Sequence, residues 1–150
     1  MKSTPKGWPR ISSGVSYEEP KKAIDFLCKA FGFEVRLLVE GEEGRVDHSE
    51  LVFGDGLVMV GGGGGKSGRP GREWRASPRE VGDRCTQTMM VFVDDVEAHC
   101  AQARSAGAVI FEEPATHDYG EAYWADRTYG AVDPEGHRWW FTQRIRDPKA

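Results

Sequence analysis

Apolar and polar positions alternate and then change period in an order that repeats along the chain. Ile11 to Tyr17 is short, partly alternating and bounded by Pro9 and Pro20, a strand pattern. From Pro20 the apolar residues Ala23, Phe26, Leu27 and Ala30 fall at the spacing of one buried helical stripe. Pro20 suits the first turn of that helix and Gly32 its left-handed stop. Glu34 to Glu40, Val46 to Phe53 and Leu57 to Val60 predict three strands, the last two joined by a tight turn at Gly54-Asp55-Gly56.

The order βαβββ then recurs. Thr88 to Val93 predicts a strand, and Asp94 or Asp95 an N-cap for a helix with Val96, Cys100 and Ala103 on one face. Gly107 closes that helix as Gly32 closes the first. Val109 to Glu113, about Tyr123 to Val132, and His137 to Gln143 complete the set, with Asp133-Pro134-Glu135-Gly136 as the turn matching Gly54-Asp55-Gly56. Pro20 to Val35 recurs in type seventy-five positions on, as Asp95 to Ile110. Two copies of one supersecondary unit are expected, about 8–61 and 86–145, within a single domain of 150 residues. A site is expected where the copies face each other.

Composition narrows the class. A chain of 150 residues with 39% hydrophobic and 29% charged residues is long enough to bury roughly 70% of its unfolded surface without staples. Cys28, Cys85 and Cys100 are odd in number and have no metal-knuckle spacing, which points to a reducing cytoplasm. No apolar run approaches the length of a membrane span, and a net charge of -4 gives no general attraction for nucleic acid.

The connecting stretch 61–85 is rich in glycine and alternating charge and reads as a mobile, mildly basic loop. Val60 to Ser67 nearly spells a phosphate-cradling loop, but its first glycine is replaced by Val60, and Gly68, Pro70 and Gly71 block the helix that must follow. A linker is the better reading.

Tandem βαβββ units, the helix from Lys22-Ala23-Ile24-Asp25-Phe26 into Ala30-Phe31-Gly32-Phe33, the segment Val93 to Ala98, and Asp126-Arg127-Thr128-Tyr129 before Asp133-Pro134-Glu135-Gly136-His137-Arg138-Trp139 together resemble the glyoxalase/bleomycin-resistance/dioxygenase (vicinal oxygen chelate) superfamily. The resemblance implies an α+β fold whose tandem modules form a curled mixed sheet, a half-barrel, with helices on the outer face. It also implies a small-molecule site on the inner face and a homodimer. Metal-dependent members place His or Glu ligands on the first and last strand of each module. Carried across, those positions are Ser13, a residue at or near Val60, Thr88 and Trp140, none of which offers an imidazole or carboxylate. The expectation is a protein with neither metal nor cofactor.

Period-two alternation places Trp140, Arg138 and Thr142 on the inner face, and His137, Trp139 and Phe141 toward the helices. On the third strand Leu51 and Phe53 should meet the helix, leaving His48, Glu50 and Val52 inward. His48 and Glu50 are the candidate acid/base pair of a lyase or isomerase, with a mutually bonded structural pair as the plainer alternative. The aromatic residues near the last strands, Trp124, Tyr129 and Trp140, are candidate stacking surfaces for a planar or cationic ligand, and Arg127, Arg138, Thr88 and Ser13 complete the expected binding set, with an internal salt bridge to a nearby Asp ranking ahead for Arg127. Three functions follow: a drug-sequestering or resistance protein, a glyoxalase-like enzyme, or a sensory domain with a vestigial pocket.

Overall fold

The computed structural model describes residues 1–63 and 70–149 and contains both copies. In the first, β1 (Ser13–Tyr17), α1 (Pro20–Phe31), β2 (Glu34–Glu40), β3 (Val46–Phe53) and β4 (Gly56–Gly62) form a mixed sheet in the order β1-β4-β3-β2. In the second, β5 (Met89–Phe92), α2 (Val96–Ser105), β6 (Val109–Asp118), β7 (Ala125–Val132) and β8 (Arg138–Arg146) repeat it as β5-β8-β7-β6. The first and last strands of each unit pair in parallel and the others antiparallel, and neither sheet closes. The chain divides into two compact units, Met1–Arg84 and Cys85–Ala150.

Local chemistry explains the boundaries. Pro20 opens α1, and Gly32 ends it with a φ of 75°, a left-handed value that a side chain would resist. The Asp95 carboxylate caps α2 by accepting from the Ala98 amide at 3.0 Å, and Gln143 Oε1 on β8 accepts from the Val96 amide. Several strands differ in extent from the sequence reading. β6 runs on to Asp118 because the bulges around Glu112 absorb Pro114, which an edge strand tolerates where it need not donate. β8 continues to Arg146, paired with Ala125. β1 starts at Ser13 rather than Ile11, and β7 at Ala125 because Tyr119 to Trp124 form a hairpin tip closed by Tyr119 N to Trp124 O.

The linker is more ordered than expected from Pro70 on. A 3-10 turn spans Pro78–Val81, where Ser77 N donates to Glu80 Oε2, and Arg79 reaches Glu18 at 3.6 Å. Residues 64–69 of the near-phosphate-loop stretch lie outside the described residues.

Each unit is held on the helix side of its sheet. In the first, Val15, Tyr17, Leu51 and Val60 pack with Ile24, Leu27 and Phe31 of α1. Buried Ser49 bonds both Val60 O and Val60 N, at 2.7 and 2.8 Å, where the β3–β4 ladder ends. In the second, Trp139, Phe141 and Tyr129 are fully buried with Val96, Cys100 and Ala103 of α2. Each large side chain so buried contributes about 1.5–3 kcal/mol. The Tyr129 and Phe141 rings stack at 5.1 Å, and His99 Nδ1 meets Tyr129 Oη at 2.7 Å. Burial pushes the Tyr129 phenol well above its ordinary range, so it stays neutral.

Each unit also carries a polar cluster that fastens its sheet. Asp133, buried in its turn, accepts from the Glu135 and His137 amides through Oδ1 and from Trp139 Nε1 at 3.1 Å through Oδ2. Asp133→Asn turns an amide N–H toward these donors, and we expect a loss of about 1–3 kcal/mol, read as a lower denaturation midpoint at unchanged slope. On the other face of the first sheet, Glu50 Oε1 meets His48 Nε2 at 3.0 Å and Oε2 accepts from Arg36 Nε at 2.8 Å, tying β3 to β2 across a bulge. The His48 bond, then the Arg36 guanidinium, hold the Glu50 carboxyl below its ordinary value of 4.5. A lowered folded-state value contributes stability that is present above the unfolded value and lost as pH falls through the folded one. Wild-type protein should therefore exceed Glu50→Gln in stability at neutral pH, and the gap should close below about pH 4, measured by denaturation at both pH values.

Candidate functional site

Alternation on three neighbouring strands builds one open face in the second unit. Met90 pairs with Trp140, Phe92 with Thr142, Thr128 with Thr142 and Asp126 with Arg144, so these side chains share the face turned away from α2. With Glu112 and His117 of β6 and with Tyr119 and Trp124 of the hairpin tip, they line a cavity of about 410 Å³. That volume is in the range of small-molecule sites. Met90 is 63% exposed, Phe92 50% and Tyr119 55%, so the apolar lining is open to water.

The aromatic members have fixed positions. Phe111, turned onto this face by the β6 bulge, sits edge-on to Trp140 at 5.1 Å, and Arg138 lies over Phe111 at 5.0 Å. Gly130 makes room for the Phe111 ring: a Cβ there would come within 2.6 and 2.9 Å of its Cε atoms. Trp124 lies between Tyr119 at 5.5 Å and Tyr123 at 6.2 Å. The tip carrying them is pinned by an ion pair between Arg146 and Asp118, which with the Gly120 amide keeps the Asp118 carboxyl below its ordinary range.

The charges alternate around the cavity. The Arg144 guanidinium lies 5.6 Å from both the Phe92 and Trp124 rings and is held by Asp126 at 2.6 Å and Asp147 at 2.9 Å, which keep it charged. Glu112 stands 3.9 Å from His117 Nε2, and the Thr128 and Thr142 hydroxyls meet at 3.1 Å on the floor. The lining therefore holds two carboxylates against one guanidinium.

The residues expected from sequence divide between this cavity and other places. Trp124 and Trp140 line it, and Arg138 braces it through Phe111. Tyr129 does not: odd-numbered residues of β7 face α2, so its ring belongs to the core. Arg127 shares that parity and donates to Glu97 on α2 at 2.7 Å and to Thr116 at 3.0 Å, an internal ion pair. Thr88 is exposed one residue before β5 and Ser13 pairs beside Val58 on the α1 side of the first sheet, neither in this cavity. His48 and Glu50 do share a face, bonded to each other in the first unit.

Sequence reasoning missed Met90, Phe92, Asp126, Glu112, His117, Tyr119 and Arg144. Met90 and Phe92 were findable, since a parallel partner gives their parity relative to Trp140. Arg144 lies beyond the expected end of β8 at Gln143, and His117 beyond the expected end of β6 at Glu113.

The metal positions carried across from the resemblance are out of step by one residue on the first sheet. Val60 and Ser13 stand in register with Val15 and Val58 on the α1 side, so the open-face pair is Gly14 and Met59. In the second unit Thr88 precedes β5 and the residue beside Trp140 is Met90; neither pair contains an imidazole, carboxylate or thiolate, so neither offers a divalent ion a ligand of the usual kind. Among the described residues no group of three or more His, Cys, Asp or Glu side chains is placed to hold one, and no helix is long and apolar enough to cross a membrane.

Comparison with known proteins agrees with this architecture. An uncharacterized protein of Mycobacterium bovis is 32% identical over 145 residues, 93% of this chain and 86% of that one. The crystal structure of TioX from Micromonospora sp. ML1 superposes with a TM-score of 0.68 at 30% identity, covering 91% of this chain and 99% of the other. TnmS3, an antibiotic binding protein from Streptomyces sp. CB03234, superposes at 0.56 with 18% identity over 89% and 93% of the two chains, a likeness of fold. The profile of one family matches residues 14–141, and on that match and the shared fold this chain belongs to the Glyoxalase/Bleomycin resistance protein/Dioxygenase superfamily.

Proposed function

We propose that this protein binds a small, flat, partly aromatic molecule, cationic in preference to anionic, in the cavity of its second unit, and that it sequesters rather than transforms it. The observation that carries the reading is the set of rings around one face, exposed Phe92, Tyr119 and Trp124 with half-buried Trp140, in a lining that holds two carboxylates to one guanidinium. Indole and phenol rings give stacking area at little entropic cost, and a cation over their faces gains further attraction. Arg144 between Phe92 and Trp124 is an internal example of a planar cation held by the same rings. The donor set at the family's ligand positions favours binding without metal, and TnmS3 supplies a precedent for antibiotic binding on this fold.

The enzymatic alternative through His48 and Glu50 is weaker. Both Glu50 oxygens already accept hydrogen bonds and its carboxyl is held in the charged form, so the pair is engaged as a staple between strands. We further read the protein as a cytoplasmic homodimer. Its three cysteines are free, and β2 is a sheet edge whose Val35, Leu37, Leu38 and Val39 are 36–45% exposed, a surface that a second copy would cover.

Titration with planar cationic dyes should quench tryptophan fluorescence saturably and raise the melting temperature, in protein from which divalent metals have been removed. Trp140→Ala should weaken binding about tenfold, the worth of one good stacking contact. A panel without saturable binding, or full binding by Trp140→Ala, would overturn the proposal. Gly130→Ala, which forces the Phe111 ring from behind Trp140, should weaken the same dyes several-fold without altering the far-ultraviolet dichroism.

A further inference from the structure

The register of the second sheet arranges its open face in rows. Met90, Trp140, Gly130 and Glu112 stand side by side across β5, β8, β7 and β6, and Phe92, Thr142, Thr128 and Ala115 form the next row. In the third, Arg144, Asp126 and His117 are neighbours. The cavity therefore has an aromatic side on β5 and β8 and a polar side on β6, with the Thr128 and Thr142 hydroxyls between them. Glu112 and His117 reach toward each other past the small side chain of Ala115.

The two lining carboxylates are not equivalent. Asp126, its side chain 13% exposed, is bonded to Arg144 at 2.6 Å, so its charge is compensated inside the protein. Glu112 is 43% exposed, and its ion-pair partner, His117 Nε2, stands at 3.9 Å, beyond hydrogen-bond length. The other guanidinium of this face, Arg138, lies over Phe111 and outside the lining. Arg144 repels a cation from its own end of the cavity, so a positively charged ligand resting on Trp140 gains most by turning its charged edge toward β6. Glu112 lies two strands from Trp140 in the same row, roughly 10 Å between backbones, a distance that a polycyclic ring system spans. An exposed carboxylate pairs weakly with a bare charge and more strongly with a cationic N–H, from which it accepts a short, directional bond.

We propose that Glu112 accepts hydrogen bonds from an amino or amidinium N–H group on the edge of the ligand, so that the cavity selects planar cations carrying N–H donors over fully N-alkylated ones. This inference rests on the reading that the cavity binds planar cations, and it adds the residue and the chemical group that decide among them.

Thionine and methylene blue test it, because they share one phenothiazinium ring and one positive charge, while thionine carries primary amino groups and methylene blue dimethylamino groups. Calorimetry on the full chain should give thionine about tenfold tighter binding, the worth of one charge-assisted hydrogen bond. Glu112→Gln should weaken thionine about tenfold and methylene blue less than about threefold. Glu113→Gln removes the same charge from the helix side of the same strand, where Glu113 pairs with Arg104 at 2.7 Å, and should change neither dye. Saturable methylene blue binding without a preference for thionine, an equal effect of Glu112→Gln on both dyes, or the same loss in Glu113→Gln would overturn this inference and leave the planar-cation reading standing. Absence of saturable binding by either dye would overturn both.

Discussion

Parallel pairing between the first and last strand of each unit sets which side every important residue occupies. Because Met89 is registered with Trp139 and Met90 with Trp140, one parity of β5 and β8 is committed to α2 and the other to the open face. A slip of one residue would carry Trp139 and Phe141, both fully buried, into water and press Arg138 and Arg144 against the helix. The Asp133 turn guards against that slip. Its carboxylate binds two turn amides and the Trp139 indole, so the loop length and the strand parity are fixed by one side chain. The cavity inherits its geometry from this register, since Trp140 and Thr142 can point outward only while their neighbours point in.

The same constraint explains what could be read from the letters. Element order, both helices and the faces of Trp139, Trp140, Leu51 and His48 follow from local period and turn residues, and these are where the fold is as expected. Tyr129 is grouped with the site for its aromatic neighbours, and Arg127 as a partner for an anionic ligand, although an internal salt bridge ranks ahead of that role. Parity, which depends on where β7 pairs with β8, puts both toward α2. The alignment of the two units drifted by one residue because Phe53 pairs with Gly56 across a two-residue turn while Val132 pairs with Arg138 across a longer one. A difference in hairpin length is invisible to a repeat counted from the helices. The contributions of Glu112, His117 and Tyr119 depend on a bulged strand running through a proline, a tertiary override of a local breaker.

Separation of core from site is the consequence for function. In each unit the helix side of the sheet carries the apolar burial, and the other side is left with few residues on which folding depends. The two open faces have accordingly taken opposite characters on one strand topology. Rings and carboxylates furnish the second, with Arg144 held among them; glycines, Arg75 and the Arg36–Glu50–His48 staple furnish the first. Side chains at corresponding positions of the ladder, Met59 and Trp140, differ in size, shape and chemistry while the pairing beneath them is unchanged.

That freedom bears on the family's chemistry. Each sheet presents two open-face residues on its parallel strand pair, and whether a pair offers imidazole or carboxylate is decided by those side chains and not by the strands. Here Gly14, Met59, Met90 and Trp140 occupy the places, and the first of them contributes nothing but room. Room at Gly14 is taken by the Arg75 guanidinium, and at Trp140 the indole extends into solvent-accessible space beside Met90. A fixed positive group therefore lies on the first sheet and a stacking surface on the second, each built from side chains that the helix-side core does not need. Each group is held by its own sheet, Arg75 over the Gly14 and Gly61 backbone and Trp140 by the Phe111 ring that Gly130 admits.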